Sequence, residues 1–439
     1  MRPICEAKFS EWREVQLRDV ARIRRGASPR PIDSPRWFAE KGPGWVRISD
    51  VTRANGQLRT TEQYLSQDGV DRSVRIGYGD VIMSICATIG EPVIVGMDAC
   101  IHDGFVVFDN FEGALDRQFL LHLLRKIAPE FKASGQTGTQ ANLNTGIVNA
   151  KVVTIPRETR EQTRIAAVLD TMDEAIAKTE AVIAKLKQVR TGLLHDLLTR
   201  GLDEHGQLRD PVAHPEQFQD SPVGRIPKEW TFETLGDRLK QNSGTIQTGP
   251  FGSQLHAHEY RTQGIPVIMP QDIREGDFDD SQIARIPLAT AEGSRRHWVR
   301  QGDLIFARRG DLSRCAAVTE REVGWLCGTG CLLLRFEQGN LLPMWLSLAY
   351  RHDFGQRQIA ARAVGTTMVN LNTTLLVHLV FAFPRKEEQQ EMVRQVGEAV
   401  STIHKALENL SKLGLLKSGL MNDLLTGRVR VLEGMAITE

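Results

Sequence analysis

One long amphipathic segment occurs twice in this chain, and this repeat constrains the fold more than any other feature. The first copy begins at Glu161-Gln162 and closes with Asp196-Leu197-Leu198-Thr199. The second begins at Glu388-Gln389 and closes with Asp423-Leu424-Leu425-Thr426, after the same interval. Two copies of one globule-plus-helix unit imply a molecule that presents two similar surfaces.

Shorter motifs repeat in the same order around the long segments. Each half begins with Glu-Trp, and each long segment is preceded by Asn-Leu-Asn and then Pro-Arg. In the first half these motifs are Glu11-Trp12, 142–144 and Pro156-Arg157. In the second half they are Glu229-Trp230, 370–372 and Pro384-Arg385. The period is far longer than the about 20–50 residues of a solenoid repeat, so the pattern indicates a duplicated domain.

The order of strand-like and helix-like patterns predicts an α/β fold with two similar mixed α/β domains and two long helices. We expect globular domains at 1–155 and 229–384, long helices at 156–201 and 385–428, a connector at 202–228 and a tail at 429–439. Pro and Gly residues punctuate the connector, and Phe218, Val223 and Ile226 offer anchors that would hold it on the surface.

Apolar residues recur along both long segments at alternating steps of three and four, a 3.5-residue period typical of coiled coils. The predicted seams are Ile165, Val168, Met172, Ala175, Val182, Leu186, Val189 and Leu193, and Met392, Val396, Val400, Ile403, Ala406, Leu410, Leu413 and Leu416. Each segment makes a rod of about 60 Å. We expect the rods to pair antiparallel about a pseudo-two-fold axis. The alternative, that each helix packs only on its own globule, fits this length poorly.

The spacer helices also offer positions for docking partner proteins. Our candidates for spacer contacts and partner docking are apolar residues of both segments: Ile165, Leu169, Met172, Leu186, Leu193, Leu197, Val396, Ile403, Leu410, Leu413 and Leu424.

Composition is that of an ordinary globular protein, with 41% apolar and 25% charged residues among 439. The first residues carry four charges and no apolar core, so we expect no signal peptide. No apolar run reaches the about 20 residues that cross a bilayer, so we expect a cytoplasmic protein without a membrane partner. The net charge is only +1, so a DNA-binding role would need locally focused charge or a basic partner.

Motifs of catalysis and cofactor binding are missing from the sequence. It contains no phosphate-binding P-loop, no G-x-S-x-G, no H-E-x-x-H and no Asn-Pro-Pro-aromatic motif. The six cysteines include Cys327 and Cys331, but no second ligand pair stands at a spacing suited to zinc, so we expect buried thiols. We therefore expect neither an enzyme nor a metal or cofactor site in this chain.

Arginine is concentrated in short windows of each globule. A guanidinium fork suits phosphates and the O6/N7 edge of guanine, and glutamine suits adenine. The candidate DNA-binding residues are Arg22, Arg24, Arg25, Arg30, Arg47, Gln247, Thr248, Ser253, Arg308 and Arg309. The alternatives are a solvated charged face for the arginines and a structural turn for the loop 247–254.

These motifs together resemble the specificity subunit of type I restriction–modification systems, over essentially the whole chain. The features that match are the Glu-Gln opening and Leu-Leu-Thr closing of the long segments, the connector 221–230, and the segments 302–310 and 365–372. Ile85 and Cys86 stand where the second half has Arg308 and Arg309, so a DNA contact by these arginines does not carry over to the first half.

The resemblance implies that two target-recognition domains read the halves of a split, asymmetric site in double-stranded DNA. The subunit would do no chemistry itself. It would position two methyltransferase subunits, which methylate adenine with S-adenosylmethionine, and two restriction subunits, which translocate and cleave DNA with ATP and Mg²⁺. The alternative function is a coiled-coil scaffold whose globules bind proteins and do not recognise a DNA sequence.

Overall fold

Two long helices, Thr159–Arg200 and Lys386–Leu424, dominate the secondary structure. The computed structural model describes residues 11–54, 56–111, 113, 115–134, 143–250, 255–337, 339, 341–362 and 370–431. The chain divides into unit 1, Met1–Ala181 with Leu407–Glu439, and unit 2, Val182–Ala406. Each long helix therefore contributes one part to each unit.

Unit 1 is a mixed α/β structure. Its strands are β1 (Trp12–Gln16), β2 (Arg22–Arg25), β3 (Phe38–Val46), β4 (Gln57–Leu58), β5 (Gln63–Leu65), β6 (Val74–Ile76), β7 (Val81–Ser84), β8 (Pro92–Val95), β9 (Ala99–Ile101), β10 (Phe105–Asp109) and β11 (Val152–Pro156). Its α-helices are α1 (Ile48–Arg53), α2 (Gln67–Val70), α3 (Arg117–Ser134), α4 (Thr145–Ala150) and the first part of α5 (Thr159–Arg200), to which the last part of the second long helix adds residues 407–424.

The sheets of unit 1 follow from its apolar runs. A five-stranded sheet has the order β2-β10-β7-β8-β4, and a four-stranded sheet has the order β5-β3-β9-β6. Every residue of β7 and β10 is buried, as expected for central strands covered on both faces. The largest core cluster joins the sheet and α3 to Ile165 and Leu169 of α5 and to Leu424 and Leu425.

Unit 2 has the same mixture of elements. Its strands are β12 (Phe218–Ser221), β13 (Gly224–Pro227), β14 (Thr231–Thr234), β15 (Thr245–Thr248), β16 (Ile265–Ile268), β17 (Ile273–Arg274), β18 (Asp277–Phe278), β19 (Ala284–Ile286), β20 (Leu304–Ala307), β21 (Cys315–Ala317), β22 (Leu326–Cys327), β23 (Cys331–Arg335) and β24 (Val380–Phe383). Its α-helices are the last part of α5 (residues 182–200), α6 (Leu235–Gln241), α7 (Leu288–Glu292), α8 (Pro343–Arg351), α9 (Asp353–Arg362), α10 (Thr373–Val377) and the first part of α11 (Lys386–Leu424).

The main sheet of unit 2 has the order β15-β23-β20-β21, and a three-stranded sheet has the order β19-β16-β22. A large core cluster joins β20 and β23 to the tryptophan of α8, Trp345, and to Leu197 and Met392 of the long helices. In the connector, β12 pairs antiparallel with β13, and Phe218 and Ile226 are buried. The last part of the connector, residues 218–227, is therefore an ordered hairpin.

The Glu-Gln motif at the start of α11 ties several segments of unit 2 together. The Glu388 carboxylate accepts hydrogen bonds from Trp230 Nε1 at 3.0 Å, Arg209 Nη1 at 2.9 Å and Leu202 N at 2.7 Å. Gln389 Oε1 accepts from Leu342 N at 2.8 Å, and its Nε2 donates to the Pro384 carbonyl at 2.9 Å. The motif therefore fastens the helix to the globule in place of a simple N-cap.

The Glu-Gln motif of α5 has a similar role in unit 1. The buried Glu161 carboxylate accepts from Arg430 Nη2 at 3.1 Å. Gln162 Oε1 accepts from Asp116 N at 2.7 Å, and its Nε2 donates to the Pro156 carbonyl at 2.9 Å. Burial raises the pKa of Glu161, so the ion pair with Arg430 offsets a desolvation cost.

The seam predicted for the long helices was wrong at three positions. Val182, Val189 and Leu416 are more than half exposed, at 53%, 52% and 54%. Ile183 is buried instead of Val182, and Lys417 takes a partly buried place beside Asp173. The predicted phase is wrong because two neighbouring sets of apolar residues fit the same period. Val168 and Val182 each precede Leu169 and Ile183 by one residue, and either pair fits a pattern of steps of three and four.

Four cysteines, Cys100, Cys315, Cys327 and Cys331, are buried among apolar residues, and burial raises the pKa of Cys315 to about 12. Across the residues that the structure describes, no helix has the combined length and apolarity that a bilayer crossing would require.

Candidate nucleic-acid interface

Four segments of unit 1 meet where β7 ends and β10 begins. Ile85 N donates to the Gly104 carbonyl at 2.8 Å, and Leu143 N donates to the Ile85 carbonyl at 2.9 Å. Gly26 N, directly after β2, donates to the Phe105 carbonyl at 2.9 Å. These bonds hold the 102–104 turn, the end of β7, the segment after β2 and the segment at Leu143 in one group, which we call turn cluster 1.

Three of the five arginines predicted in unit 1 lie around this turn. Arg25 Nε donates to the Asp103 carbonyl at 2.8 Å, and Arg30 Nη2 lies 3.5 Å from the Asp103 carboxylate. Arg47, between β3 and α1, lies 6.0 Å over the ring of Trp45, which is 5.9 Å from the His102 ring. Turn cluster 1 therefore carries positive charge from separate segments.

The other two arginines predicted in unit 1 lie at the opposite end of β10. Arg22 Nε and Arg24 Nη2 donate to the nearly buried Asp109 carboxylate at 2.7 Å and 2.5 Å. Burial would raise the pKa of Asp109, but the hydrogen bonds from both arginines outweigh it and leave that pKa below its usual value. The geometry gives Arg22 and Arg24 a role in the fold, and a DNA contact by either stays a prediction.

The base of turn cluster 1 is a packed aromatic group. The His102 ring lies 4.7 Å from Phe105 edge to face, and its Nδ1 accepts from Gly104 N at 2.9 Å. Burial lowers the pKa of His102, so this ring is neutral at pH 7. The turn above it is therefore held rigidly by packing and by hydrogen bonds.

Unit 2 repeats the backbone hydrogen bonds of turn cluster 1. Arg308 N donates to the Gly330 carbonyl at 2.8 Å, Leu371 N to the Arg308 carbonyl at 3.0 Å, and Gly249 N to the Cys331 carbonyl at 2.9 Å. We call this group turn cluster 2. By these bonds Arg308 corresponds to Ile85, and Gly330 corresponds to Gly104.

The second asparagine of each Asn-Leu-Asn motif caps a short helix beside its turn cluster. Asn144 Oδ1 accepts from Ile147 N at 2.9 Å, and Asn372 Oδ1 accepts from Leu375 N at 2.7 Å. The leucine between the asparagines is buried in both units. The repeated motif therefore anchors a chain segment at the cluster through a cap and an apolar plug.

The predicted residues of unit 2 occupy different positions around turn cluster 2. Arg309 is exposed, and no ion pair to it is found among the described residues. Arg308 is partly buried, and its Nε donates to the Leu371 carbonyl at 3.2 Å. Thr248 ends β15 beside the cluster, whereas the Gln247 amide donates to the Arg296 carbonyl. Ser253 and the segments 138–140 and 365–367 lie outside the described residues.

The predicted spacer residues lie in both units. Ile165, Leu169, Leu197, Val396, Ile403 and Leu424 are buried, and Met172, Leu186, Leu193, Leu410 and Leu413 are partly buried. Their positions suit packing more than contact with a partner protein. The exposed apolar side chains on the helices are Val182, Val189, Leu407, Leu415 and Leu416.

One group of side chains in the described part of the chain has the spacing of metal ligands: His122, Asp170 and Asp173. However, Asp173 also binds Arg125 at 3.1 Å and Lys417. Two cations already neutralise this carboxylate, so the group fits an ion-pair network that joins α3 to the long helices better than it fits a metal site.

Asp103 and Asp109, which organise the arginines of unit 1, are not among the residues predicted from the sequence. The only sequence signal for Asp103 was its place in a turn between two buried strands, where unit 2 has Gly328-Thr329-Gly330. Asp109 gave no signal, because it pairs with residues 85 and 87 positions away.

Several known proteins similar to this chain are specificity subunits of type I restriction enzymes. Residues 9–188 match the model of the type I restriction modification DNA specificity domain. The specificity subunit of the type I restriction enzyme MjaVIII of Methanocaldococcus jannaschii is 20% identical over 371 residues, which are 82% of this chain and 81% of the relative. The specificity subunit of the EcoBI enzyme of Escherichia coli is 21% identical over 396 residues, 88% of this chain and 79% of the relative.

A solved structure of a type I restriction–modification system shares this fold. It covers 95% of this chain and 98% of its own, with a TM-score of 0.61 and 18% sequence identity. The likeness extends over both units and both long helices.

Proposed function

Because this chain belongs to the family of type I restriction–modification specificity subunits, we propose that its two units read the two halves of a bipartite, asymmetric DNA site. The observation that carries the proposal is the pair of turn clusters. Their backbone hydrogen bonds correspond, but Arg308 and Arg309 of unit 2 stand where unit 1 has Ile85 and Cys86. One scaffold with two sets of polar side chains suits two different DNA sequences.

The proposed partners follow from the family. Specificity subunits are non-catalytic members of their complexes, and the exposed residues Val189 and Leu416 are available on this chain for protein contacts. In the proposed complex, two methyltransferase subunits use S-adenosylmethionine to methylate adenine, and two restriction subunits use ATP and Mg²⁺. This chain then holds no cofactor of its own, and the complex acts on DNA in the cytoplasm.

We propose that the long helices are the spacer between the two recognition units and arise, with the units, from an internal duplication with pseudo-two-fold symmetry. Contacts inside unit 1 support antiparallel pairing: Glu161, early in α5, binds Arg430 after α11, and Asp173, further along α5, binds Lys417. In unit 2, Leu202, just after α5, binds Glu388 near the start of α11.

The test is a methylation map of DNA from cells that express this chain with its methyltransferase subunit. The expected result is modified adenine at one site made of two short specific sequences with a fixed gap between them. Contiguous palindromic sites, or no modification that depends on this chain, would refute the proposal. A strain with the methyltransferase subunit alone is the control.

A further inference from the structure

Turn cluster 1 carries an acidic residue at the centre of its positive charge. Asp103 is at the apex of the 102–104 turn, and its side chain is 42% exposed. Its Oδ1 accepts from Ser28 Oγ at 2.6 Å, and its Oδ2 lies 3.5 Å from Arg30 Nη2. The hydrogen bond from Ser28 holds the pKa of Asp103 below its usual value, so the group is a carboxylate at pH 7.

The position of this carboxylate is unfavourable for general affinity towards DNA. A negative charge at a surface of arginines repels phosphates and competes with them for the guanidinium groups. In turn cluster 2 the hydrogen bond from Arg308 to Gly330 places Thr329 where unit 1 has Asp103. The acid is therefore a feature of one recognition unit and not of the shared scaffold.

The contacts of Asp103 show which arginine is held by its carboxylate. Arg30 is 72% exposed, and its carboxylate contact, at 3.5 Å, is long enough for a stronger acceptor to replace it. Arg25 is bound through the main-chain carbonyl of Asp103, so its position does not depend on the carboxylate. The competition with DNA therefore concerns Arg30 above all.

We propose, resting on the DNA-reading role above, that Asp103 is a specificity-determining positioning residue of unit 1. It binds Arg30 away from DNA phosphates and releases it only to the paired acceptors of a correct base edge. Non-specific binding by unit 1 is thereby weakened, and the ratio of specific to non-specific affinity is raised.

The test uses the complex of this chain with its methyltransferase subunit and three duplexes: the mapped site, the site with one half scrambled, and an unrelated sequence. Asp103→Asn keeps an acceptor for Ser28 but removes the charge. We expect affinity for the unrelated duplex to rise about threefold and its dependence on salt to steepen by about one phosphate contact. Discrimination should fall only at the half-site that does not depend on Arg309.

The matched control is Asp98→Asn. Asp98 pairs with Arg75 at the other end of β9, so the substitution removes the same charge from the same unit away from the turn. It should leave discrimination unchanged. In an Arg30→Gln background, Asp103→Asn should no longer raise the non-specific affinity, because the side chain that it releases is absent.

Arg30→Gln alone tests the idea without altering Asp103. It should lower affinity for the mapped site about tenfold but change affinity for the unrelated duplex less than twofold. Equal losses on both duplexes, or an unchanged ratio in Asp103→Asn, would overturn the proposal. A wild-type complex with no preference for the mapped site would instead overturn the DNA-reading role itself.

Discussion

At the scale of single residues, the two turn clusters differ in the origin of their positive charge. In unit 1 Arg25 ends β2, Arg30 follows β2 and Arg47 follows β3, whereas in unit 2 Arg308 and Arg309 directly follow β20. The corresponding residues of unit 1, Ile85 and Cys86, are apolar. Each unit therefore offers DNA a different arrangement of donors on the same backbone.

Arg309→Ala tests the contact proposed for unit 2. Arg309 is exposed at the end of a buried strand, so its removal should disturb DNA binding without disturbing the core. If Arg309 reads a base, the loss should be about 1–3 kcal/mol at one half-site only. Binding of the methyltransferase complex to duplexes with either half-site altered measures this effect.

The matched control for Arg309 is Arg300→Ala. Arg300 is also an exposed arginine of unit 2, but it precedes β20, whereas Arg309 follows it. This substitution should change binding far less. Equal losses at both half-sites for Arg309→Ala, or equal effects of the two substitutions, would contradict a local contact.

His297 makes the stability of unit 2 depend on pH. It is buried beside Arg296, and burial first, then the charge of Arg296, lowers the pKa of His297 to about 4. The unfolded chain therefore binds a proton near pH 6.5 that the folded unit does not bind. The contribution of neutral His297 to the free energy of unfolding is present in full above pH 6.5 and is lost as pH falls towards 4. The free energy of unfolding should therefore fall by about 1–2 kcal/mol between pH 7 and pH 5.

Urea unfolding at pH 7 and at pH 5 measures this loss. His297→Gln should reduce the difference between the two pH values but not abolish it, because burial also lowers the pKa of His352 to about 4. His404→Gln, at an exposed position of α11, should leave the difference as in the wild type. A pH dependence unchanged by His297→Gln would show that other groups cause it.

At this scale, repetition in the sequence marked some residues as important without showing what they do. The asparagine caps and the tryptophan, glutamate and glutamine motifs stood out because each occurs twice, although their hydrogen bonds could not be foreseen. The separation of Arg22 and Arg24 from Arg25 and Arg30 depends on Asp109 and Asp103, which are distant in sequence. Four arginines within one window therefore looked equivalent, and the fold divides them between two ends of a strand.

At the scale of elements, the existence and length of the long helices followed from the sequence, but the packed face did not. Two sets of apolar residues on α5 share Met172 and recur at alternating steps of three and four. They define two possible seams with the same period, so the period does not show which one is packed. The structure buries Ile183 and exposes Val182, and Arg190 lies next to the exposed Val189 with its charge paired to Glu275. Apolar character alone does not select the phase, because an arginine stem can occupy a seam position.

Gly201→Ala tests how α5 ends. Gly201 has φ of +66°, and a Cβ there would meet Trp230, Arg209 and Glu388, each within 2.6 Å. Both the left-handed backbone and the ion-pair cluster would be strained. We expect a loss of about 1–3 kcal/mol in the free energy of unfolding, measured in urea.

Gly192→Ala is the matched substitution inside α5, in the same unit. A Cβ at Gly192 meets no atom within 4 Å, and the residue is helical. Alanine should therefore stabilise the protein by up to about 1 kcal/mol. If both substitutions shifted stability in the same direction, the ending of α5 at Gly201 would not depend on its backbone conformation.

At the scale of the whole molecule, the proposed spacer role predicts how the DNA site responds to helix length. One added heptad in both α5 and α11 lengthens each by about 10.5 Å and keeps the seam in register. Methylation mapping should then show the same two half-sites with a gap about three base pairs longer. The unchanged half-sites are the internal control, because each unit stays intact.

A heptad added to α5 alone should abolish recognition of the bipartite site while each unit still folds. An unaltered gap after the double insertion would exclude the long helices as the spacer. Salt dependence separates DNA recognition from the scaffold alternative: affinity of the complex for the mapped duplex should fall steeply between 50 mM and 200 mM salt, as counterion release requires.

The way in which unit 1 is assembled from both ends of the chain has a consequence for its synthesis. Leu424 and Leu425 belong to its core, and Arg430 pairs with the buried Glu161. Unit 2, by contrast, is one continuous stretch, Val182–Ala406. On the ribosome, the part of unit 1 that is made first therefore has an incomplete apolar core until Leu424, Leu425 and Arg430 have been synthesised, and unit 2 is complete before unit 1. Translation of this chain reverses the usual order, in which the N-terminal domain matures first.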